Sequence, residues 1–124
     1  NIKEDFFGIK DGKEVFLYTL DNSLGLTAQI TNYGGIIKSL KYNDSEYIWE
    51  GKKEVWAGSC PLLFPICGGL KNDKYVLNGK EYTLQKHGYA RFKTFEIENK
   101  TEDLEDFCES TSIKNQLKLD VTIF

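Results

Sequence analysis

The chain has 124 residues, of which 40% are hydrophobic and 28% are charged, and its formal net charge is −3. This size and balance are those of one soluble globular domain spanning residues 1–124, and they do not indicate disorder. The lysines are dispersed rather than gathered into a basic stripe, no apolar run reaches membrane-spanning length, and the N-terminal residues lack a signal-peptide pattern. We therefore expect a cytoplasmic protein without nucleic-acid or membrane partners.

Three cysteines, Cys60, Cys67 and Cys108, cannot all pair in disulfides, and the spacing of the first two is not that of a zinc or redox motif. We therefore expect reduced, half-buried thiols and no metal site. The sequence also lacks methionine, which indicates that the start was removed or that the chain is a piece of a longer protein.

In the N-terminal half, short runs of β-branched and aromatic residues are separated by turn signals such as Asp21-Asn22-Ser23. This pattern predicts four strands, over residues 15–20, 26–30, 36–42 and 46–50. Gly34-Gly35 interrupts the pattern before the third of these strands, and paired glycines there indicate a β-bulge or a close backbone approach.

The middle of the chain is a loop followed by an apolar segment, residues 61–67, that contains both prolines. The loop carries Trp56, which is either a plug of the core or a platform on which a sugar stacks. The apolar segment is too short for a buried helix and too rich in proline for a central strand, so we expect irregular, packed backbone.

The C-terminal half contains the clearest local signal, Asn78-Gly79, which predicts a type I′ hairpin over residues 75–84. Alternation predicts a further strand over residues 92–98, whereas residues 101–112 are compatible with a short helix or a solvated strand pair. Residues 117–124 predict an amphipathic strand with an exposed edge, which is suited to self-association or to pairing with a continuation of the natural protein.

Segments with helical periodicity are scarce along the whole chain, and short predicted strands with turns between them dominate. We therefore expect an all-β fold, an antiparallel β-sandwich.

His87 and Arg91, the sole histidine and the sole arginine, are the candidate functional residues. Their spacing of four places both on one side of either a helix or a strand. Histidine exchanges a proton near neutral pH, and arginine offers five donors to carboxylate, phosphate or sugar oxygens. A histidine beside a glycine is also typical of a simple turn, and that alternative stays open.

Four motifs follow one another between about residues 25 and 97: TNYGGIIKSL, PLLFPICGGLKNDKY, NGKEYTL and HGYAR. Their order and spacing resemble the N-terminal part of the aldose 1-epimerases, the galactose mutarotase-like proteins, in the branch with an H-G-aromatic-A-R motif. The resemblance implies the N-terminal part of a galactose mutarotase-like supersandwich. It also implies the interconversion of the α and β anomers of a free hexose without a cofactor.

Anomer interconversion opens the sugar ring, which requires a base at the anomeric hydroxyl and an acid at the ring oxygen. By resemblance, His87 contacts oxygens near the ring and helps to stabilise developing charge, and Arg91 binds substrate oxygens or a phosphate. The family's base is a glutamate far toward the C-terminus and its acid is a histidine in the middle of the chain. Neither has a counterpart in these 124 residues.

The sequence also departs from the family at one expected sugar-binding position, and its own acids do not supply an evident base. Many relatives carry an arginine where this chain has Gly69, and the available acids Asp73, Glu81 and Glu96 have the context of solvated turn or strand residues. We therefore keep two alternatives beside the epimerase hypothesis: a non-catalytic carbohydrate-binding module and a β-sandwich with structural duties only.

Overall fold

The computed structural model describes residues 1–56, 58–101 and 116–120. This part of the chain contains nine β-strands and two short 3₁₀ turns, which are joined by loops. The 3₁₀ turns are Lys71–Asp73 and Ala90–Phe92. The strands are β1 (Ile2–Lys10), β2 (Lys13–Asp21), β3 (Leu26–Thr31), β4 (Ile37–Tyr42), β5 (Ser45–Glu46), β6 (Lys74–Leu77), β7 (Lys80–Thr83), β8 (Glu96–Thr101) and β9 (Gln116–Asp120).

Strands β1 to β5 form one antiparallel sheet in chain order, while β6–β7 and β8–β9 form two separate antiparallel pairs. Every strand pair joins consecutive strands, so the sheets follow the order of the sequence. The predicted all-β, antiparallel architecture is confirmed. Across the described residues, the structure contains no helix that is long and apolar enough to cross a membrane.

Strand β1 was not predicted from the sequence. It pairs with β2 through a turn at Asp11 and Gly12, whose φ angles of 52° and 75° are those of a type I′ hairpin. Charged residues and a β-bulge between Phe6 and Gly8 disrupt the alternation that would reveal the strand. The Asp-Gly pair was the signal that could have found it.

Strands β2, β3 and β4 confirm the predictions for residues 15–20, 26–30 and 36–42 to within about two residues at each end. Buried Asn32 closes the end of this sheet, because its Oδ1 accepts a hydrogen bond from Phe16 N at 2.8 Å and its Nδ2 donates to Glu14 O at 3.2 Å.

The predicted strand over residues 46–50 is wrong in extent, because β5 contains only Ser45 and Glu46. The Glu46 carboxylate accepts hydrogen bonds from Leu40 N at 2.8 Å and Ile48 N at 3.0 Å, and it also pairs with the Ser39 hydroxyl. These bonds use the amide of Ile48 locally, so the strand does not continue. Together they lower the pKa of Glu46 to about 2, with the Ser39 hydrogen bond as the largest cause.

The hairpin predicted around Asn78-Gly79 is confirmed as β6–β7, with φ angles of 52° and 76° at the two turn residues. Tyr75 and Tyr82 stack across it with ring centroids 5.3 Å apart. The segment 61–67 is irregular, as predicted.

The predicted strand over residues 92–98 is wrong at its start. Backbone bonds from Phe92 N to Tyr89 O and from Lys93 N to Ala90 O close a 3₁₀ turn, and β8 begins only at Glu96. Next along the chain, the Lys100 ammonium pairs with Glu4 and lies 4.9 Å from the centroid of the Tyr18 ring. The β8–β9 pair therefore contacts the β1–β2 hairpin.

The last predicted strand is present as β9, but residues 121–124 lie outside the described residues. Residues 102–112, for which the sequence is compatible with a short helix or a strand pair, also lie outside the described residues, and Thr101 ends β8. Self-association through the last strand and the assignment of residues 1–124 to a single domain stay predictions.

Candidate functional site

Two segments that are distant in sequence, residues 60–69 and 84–93, come together at the predicted site. The contact is made by the backbone, since Phe64 O accepts hydrogen bonds from Tyr89 N at 2.9 Å and from Ala90 N at 3.2 Å. Buried Gly88 has a φ of +72°, and a Cβ built on it would lie 2.2 Å from Phe64 O. Only glycine fits there, which explains the glycine of the H-G motif.

His87 is held by a reciprocal pair of bonds with Gly68. Gly68 N donates to the His87 Nδ1 at 2.9 Å, and His87 N donates to Gly68 O at 2.8 Å. Because Nδ1 acts as the acceptor, the neutral ring carries its proton on Nε2. The ring is half-buried, and its Nε2 has no hydrogen-bond partner among the described residues. It therefore offers one oriented N–H donor.

Arg91 lies in the 3₁₀ turn Ala90–Phe92. Its Nη2 donates to Lys86 O at 3.1 Å, and its guanidinium carbon lies 4.7 Å from the centroid of the Phe92 ring. The Nε of Arg91 is buried and has no hydrogen-bond partner within the described part of the chain. An unpaired buried donor is costly, so this nitrogen is a candidate for contact with an oxygen-rich ligand.

The turn that carries Arg91 is joined to the connection between β3 and β4. Gly34 N donates to Lys93 O at 2.7 Å, and a Cβ on Gly34 would lie 2.6 Å from Arg91 O. Phe95 N donates to Asn32 O at 2.7 Å on the far side of the turn. Of the two roles proposed for Gly34-Gly35, the close backbone approach is the one observed at Gly34.

The spacing of four suggested a shared α-helix or strand, but His87 lies in a turn and Arg91 lies in the 3₁₀ turn Ala90–Phe92. His87 has a left-handed backbone with φ 67°, as in a turn. The bond from Arg91 to Lys86 O nevertheless draws the guanidinium back to the backbone beside His87. The turn thus presents both side chains from one short segment, residues 86–91.

No carboxylate of the described residues is hydrogen-bonded or ion-paired to His87 or Arg91. Asp73, Glu81 and Glu96 are all exposed, as their sequence context suggested, and Glu81 pairs with Lys74 at 3.1 Å. The described residues contain no cluster of three or more histidine, cysteine or acidic side chains that could hold a metal ion.

Trp56 is 51% exposed, so its interpretation as a core plug is wrong for the described part of the chain. Its backbone carbonyl accepts a hydrogen bond from the Trp49 indole at 2.8 Å, and Gly58 lies against its ring. The interpretation of Trp56 as a platform for a sugar stays a hypothesis. Cys60 and Cys67 are free and exposed, although the sequence analysis expected half-buried thiols.

Sequence reasoning included a close backbone approach at Gly34-Gly35, but it missed the backbone groups of Phe64 and Gly68 that hold the site. The paired glycines at 34–35 and 68–69 were the available signal, since glycine is favoured where two backbones approach closely.

Comparison with known proteins identifies the family. The model of the aldose 1-epimerase family matches residues 17–120, which is most of the chain and includes both halves of the site. The chain belongs to the aldose 1-epimerase family. This membership confirms the resemblance that the four sequence motifs indicated.

Three similar proteins are from Lactococcus and Lactobacillus species. The plasmid-encoded protein LacX of Lactococcus lactis subsp. lactis is 38% identical over 84 residues, which cover 63% of this chain and 28% of that protein. A galactose mutarotase related enzyme from Lactobacillus acidophilus is 38% identical with a TM-score of 0.64, covering 73% of this chain and 33% of that chain. A galactose mutarotase-like protein from Lactobacillus casei is 34% identical with a TM-score of 0.65, and the match covers 68% of this chain and 29% of that chain.

This chain thus spans about a third or less of the length of the relatives it matches. The family and the galactose mutarotase-like fold are established for the part that is compared. The substrates and activity of the whole protein are matters for proposal.

Proposed function

We propose that the protein binds a free hexose at the His87–Arg91 turn and belongs to an enzyme that interconverts its α and β anomers. Family membership supports a role with sugars, and one of the relatives is a galactose mutarotase related enzyme. The structural observation that carries the proposal is a buried, unpaired Nε of Arg91 in the same short segment as a His87 ring that Gly68 orients.

In this proposal the two residues bind and orient rather than complete the reaction alone. The Nε2–H of His87 donates to an oxygen near the ring and stabilises charge that develops when the ring opens. The guanidinium of Arg91 donates to neighbouring hydroxyl oxygens. The general base is not assigned among the described residues, since none of their carboxylates is bonded to this turn.

An uncharged sugar suits this site better than a sugar phosphate, because the chain has a single arginine and one Nη2 hydrogen of Arg91 is already donated to Lys86 O, which weakens a multidentate phosphate clamp. We therefore place neutral aldoses such as galactose before aldose phosphates as ligands. The cytoplasmic location expected from the sequence stays a prediction.

Polarimetry on freshly dissolved α-galactose tests the proposal. We expect the full-length protein to accelerate the approach to the equilibrium rotation, and we expect His87→Ala to reduce that acceleration by about 100-fold or more. Lys53→Ala, which changes an exposed lysine of another loop, is the matched control and should retain full activity. A protein that equals buffer with every aldose tested would refute the enzymatic proposal.

A second candidate is a carbohydrate-binding module without catalysis. It is favoured by the lack, within the described residues, of a carboxylate bonded to the site. Exposed Trp49 and Trp56 provide the fluorescence signal for a titration with galactose. Saturable quenching without polarimetric acceleration would select this candidate, and a flat response across neutral aldoses and aldose phosphates would exclude it.

A further inference from the structure

A hollow lies at the end of the large sheet where β1 turns into β2. Its volume is about 280 Å³, and it shares no lining residue with the His87–Arg91 turn. Most of its lining is apolar and comes from Phe7, Ile9, Val15 and Ile36. Its volume is close to the lower end of the range for small-molecule sites, about 300–1,000 Å³.

The apolar side chains are unusual for their position. Phe7 is 58% exposed and Ile9 is 70% exposed, although β1 is an outer strand of its sheet and such strands ordinarily carry charges. The β-bulge between Phe6 and Gly8 takes Phe7 out of the ladder, and nothing lies within 4 Å of the position that a Cβ on Gly8 would occupy. The bulge thus leaves open space over the apolar floor.

Two lysines give this hollow its charge. Lys10 and Lys38 both line it, and the Lys10 ammonium lies 6.0 Å from the centroid of the Tyr33 ring, which is also part of the wall. The described lining contains no carboxylate, whereas the chain as a whole carries a net charge of −3. The hollow is therefore a locally positive site on an acidic protein.

An apolar floor with two lysines in its lining and an aromatic wall complements a flat apolar body that ends in a negative charge. A hexose fits this lining poorly, because its hydroxyl groups need more hydrogen-bonding partners than the apolar residues supply.

We propose that this hollow binds a small aromatic carboxylate. The ring lies against Phe7, Ile9, Val15 and Ile36, and the carboxylate pairs with Lys10 and Lys38. This site is separate from the proposed sugar site and extends the function of the protein to a second class of ligand. A ligand of about ten non-hydrogen atoms would bind with a dissociation constant on the order of 1 mM.

Phenylacetate is a suitable probe, and methyl-resolved NMR of the full-length protein shows where it binds. We expect saturable shifts of the methyl groups of Ile9, Val15 and Ile36, with those of Val55 and Leu77 unchanged. Phenylacetamide, which has the same shape without the charge, should bind about threefold to tenfold more weakly. Galactose should leave the three methyl groups unshifted, so failure of the sugar site and failure of this site are distinguishable.

Substitutions of exposed Lys10 and half-buried Lys38 by glutamine test the charge while keeping side chains of similar length. Lys10→Gln and Lys38→Gln should each weaken phenylacetate binding about twofold to fivefold, and the double variant should weaken it about tenfold. Lys3→Gln is the matched control, because Lys3 lies on the same strand but pairs with Asp5 outside the hollow. Its affinity should equal that of the unmodified protein.

Three results would overturn the proposal. The first is the absence of shifts at millimolar phenylacetate, and the second is equal binding of phenylacetate and phenylacetamide. The third is a shift of the same methyl groups with protein concentration alone, which would show that a second copy of the chain covers the hollow.

Discussion

The site turn, residues 84–93, and the β6–β7 hairpin, residues 74–83, are adjacent in sequence but are held in different ways. The hairpin is closed by bonds between neighbouring strands, and its apolar side chains are largely exposed. The site turn is held by backbone bonds to Phe64, Gly68 and the β3–β4 connection, all distant in sequence. A local signal is enough to build the hairpin, whereas the site exists only when separate segments have assembled.

The largest expected effect is the loss of stability when a glycine of the site turn is replaced, compared with a matched glycine of the hairpin. Gly88 and Gly79 have nearly equal φ angles, +72° and +76°, but only Gly88 has backbone atoms where a Cβ would lie. We expect Gly88→Ala to lower the free energy of unfolding by more than about 3 kcal/mol and Gly79→Ala by about 1 kcal/mol. Urea unfolding measures both. Equal losses would show that the contact with Phe64 does not hold the turn.

A smaller effect is expected at Asn32, which links β2 to the end of the site turn. Asn32→Ala removes two side-chain bonds in a buried position and leaves Phe16 N without its acceptor, so we expect a loss of about 2 kcal/mol. Asn22→Ala is the control, because its side chain bonds only to Leu24 N and Leu26 N in its own turn. We expect Asn22→Ala to lower the free energy of unfolding by about 1 kcal/mol. A larger loss in Asn22→Ala than in Asn32→Ala would show that the long-range bonds of Asn32 are not the more important ones.

The pH dependence of stability should show the contribution of the Glu46 carboxylate, which lies at the end of β5. The pKa of Glu46 is lowered to about 2 in the folded protein from a model-compound value of 4.5, so the folded state favours the charged form. Its contribution to stability is complete above pH 4.5 and is lost as the pH falls toward 2. Urea midpoints measured across this interval should fall less steeply in Glu46→Gln. If the urea midpoints of the unmodified protein and of Glu46→Gln fall equally with pH, the Glu46 carboxylate does not stabilise the fold in this way.

The smallest effect is expected in the hairpin. Glu81→Gln removes the exposed ion pair with Lys74, and we expect the free energy of unfolding to change by less than about 0.5 kcal/mol. Urea unfolding at low and high salt checks this, and a loss above 1 kcal/mol would show that the hairpin depends on more than its turn and strand pairing.

The same contrast explains what the sequence could reveal. Asn78-Gly79 identified its hairpin because the turn geometry depends on two adjacent residues. Alternation located β2, β3 and β4 but missed β1, where the bulge before Gly8 breaks the pattern. It also extended the strand before Glu96 into a segment that the bonds of the site turn hold in a 3₁₀ turn.

The candidate site was predictable only in part. Sequence and family resemblance selected His87 and Arg91, but the bond from Gly68 N that orients the imidazole joins residues 19 apart. The exposure of Trp56 was likewise unpredictable, because burial depends on which segments cover a side chain rather than on its own type.

The central claim is that His87 contacts a sugar, and ¹⁵N NMR of the imidazole tests it most directly. His87 is the sole histidine of the chain, so its ring gives an unambiguous pair of nitrogen signals. We expect galactose to shift the Nε2 signal saturably in the unmodified protein and to leave it unchanged in Arg91→Ala. If neither nitrogen signal moves with galactose or any other neutral aldose, the turn is not a sugar site.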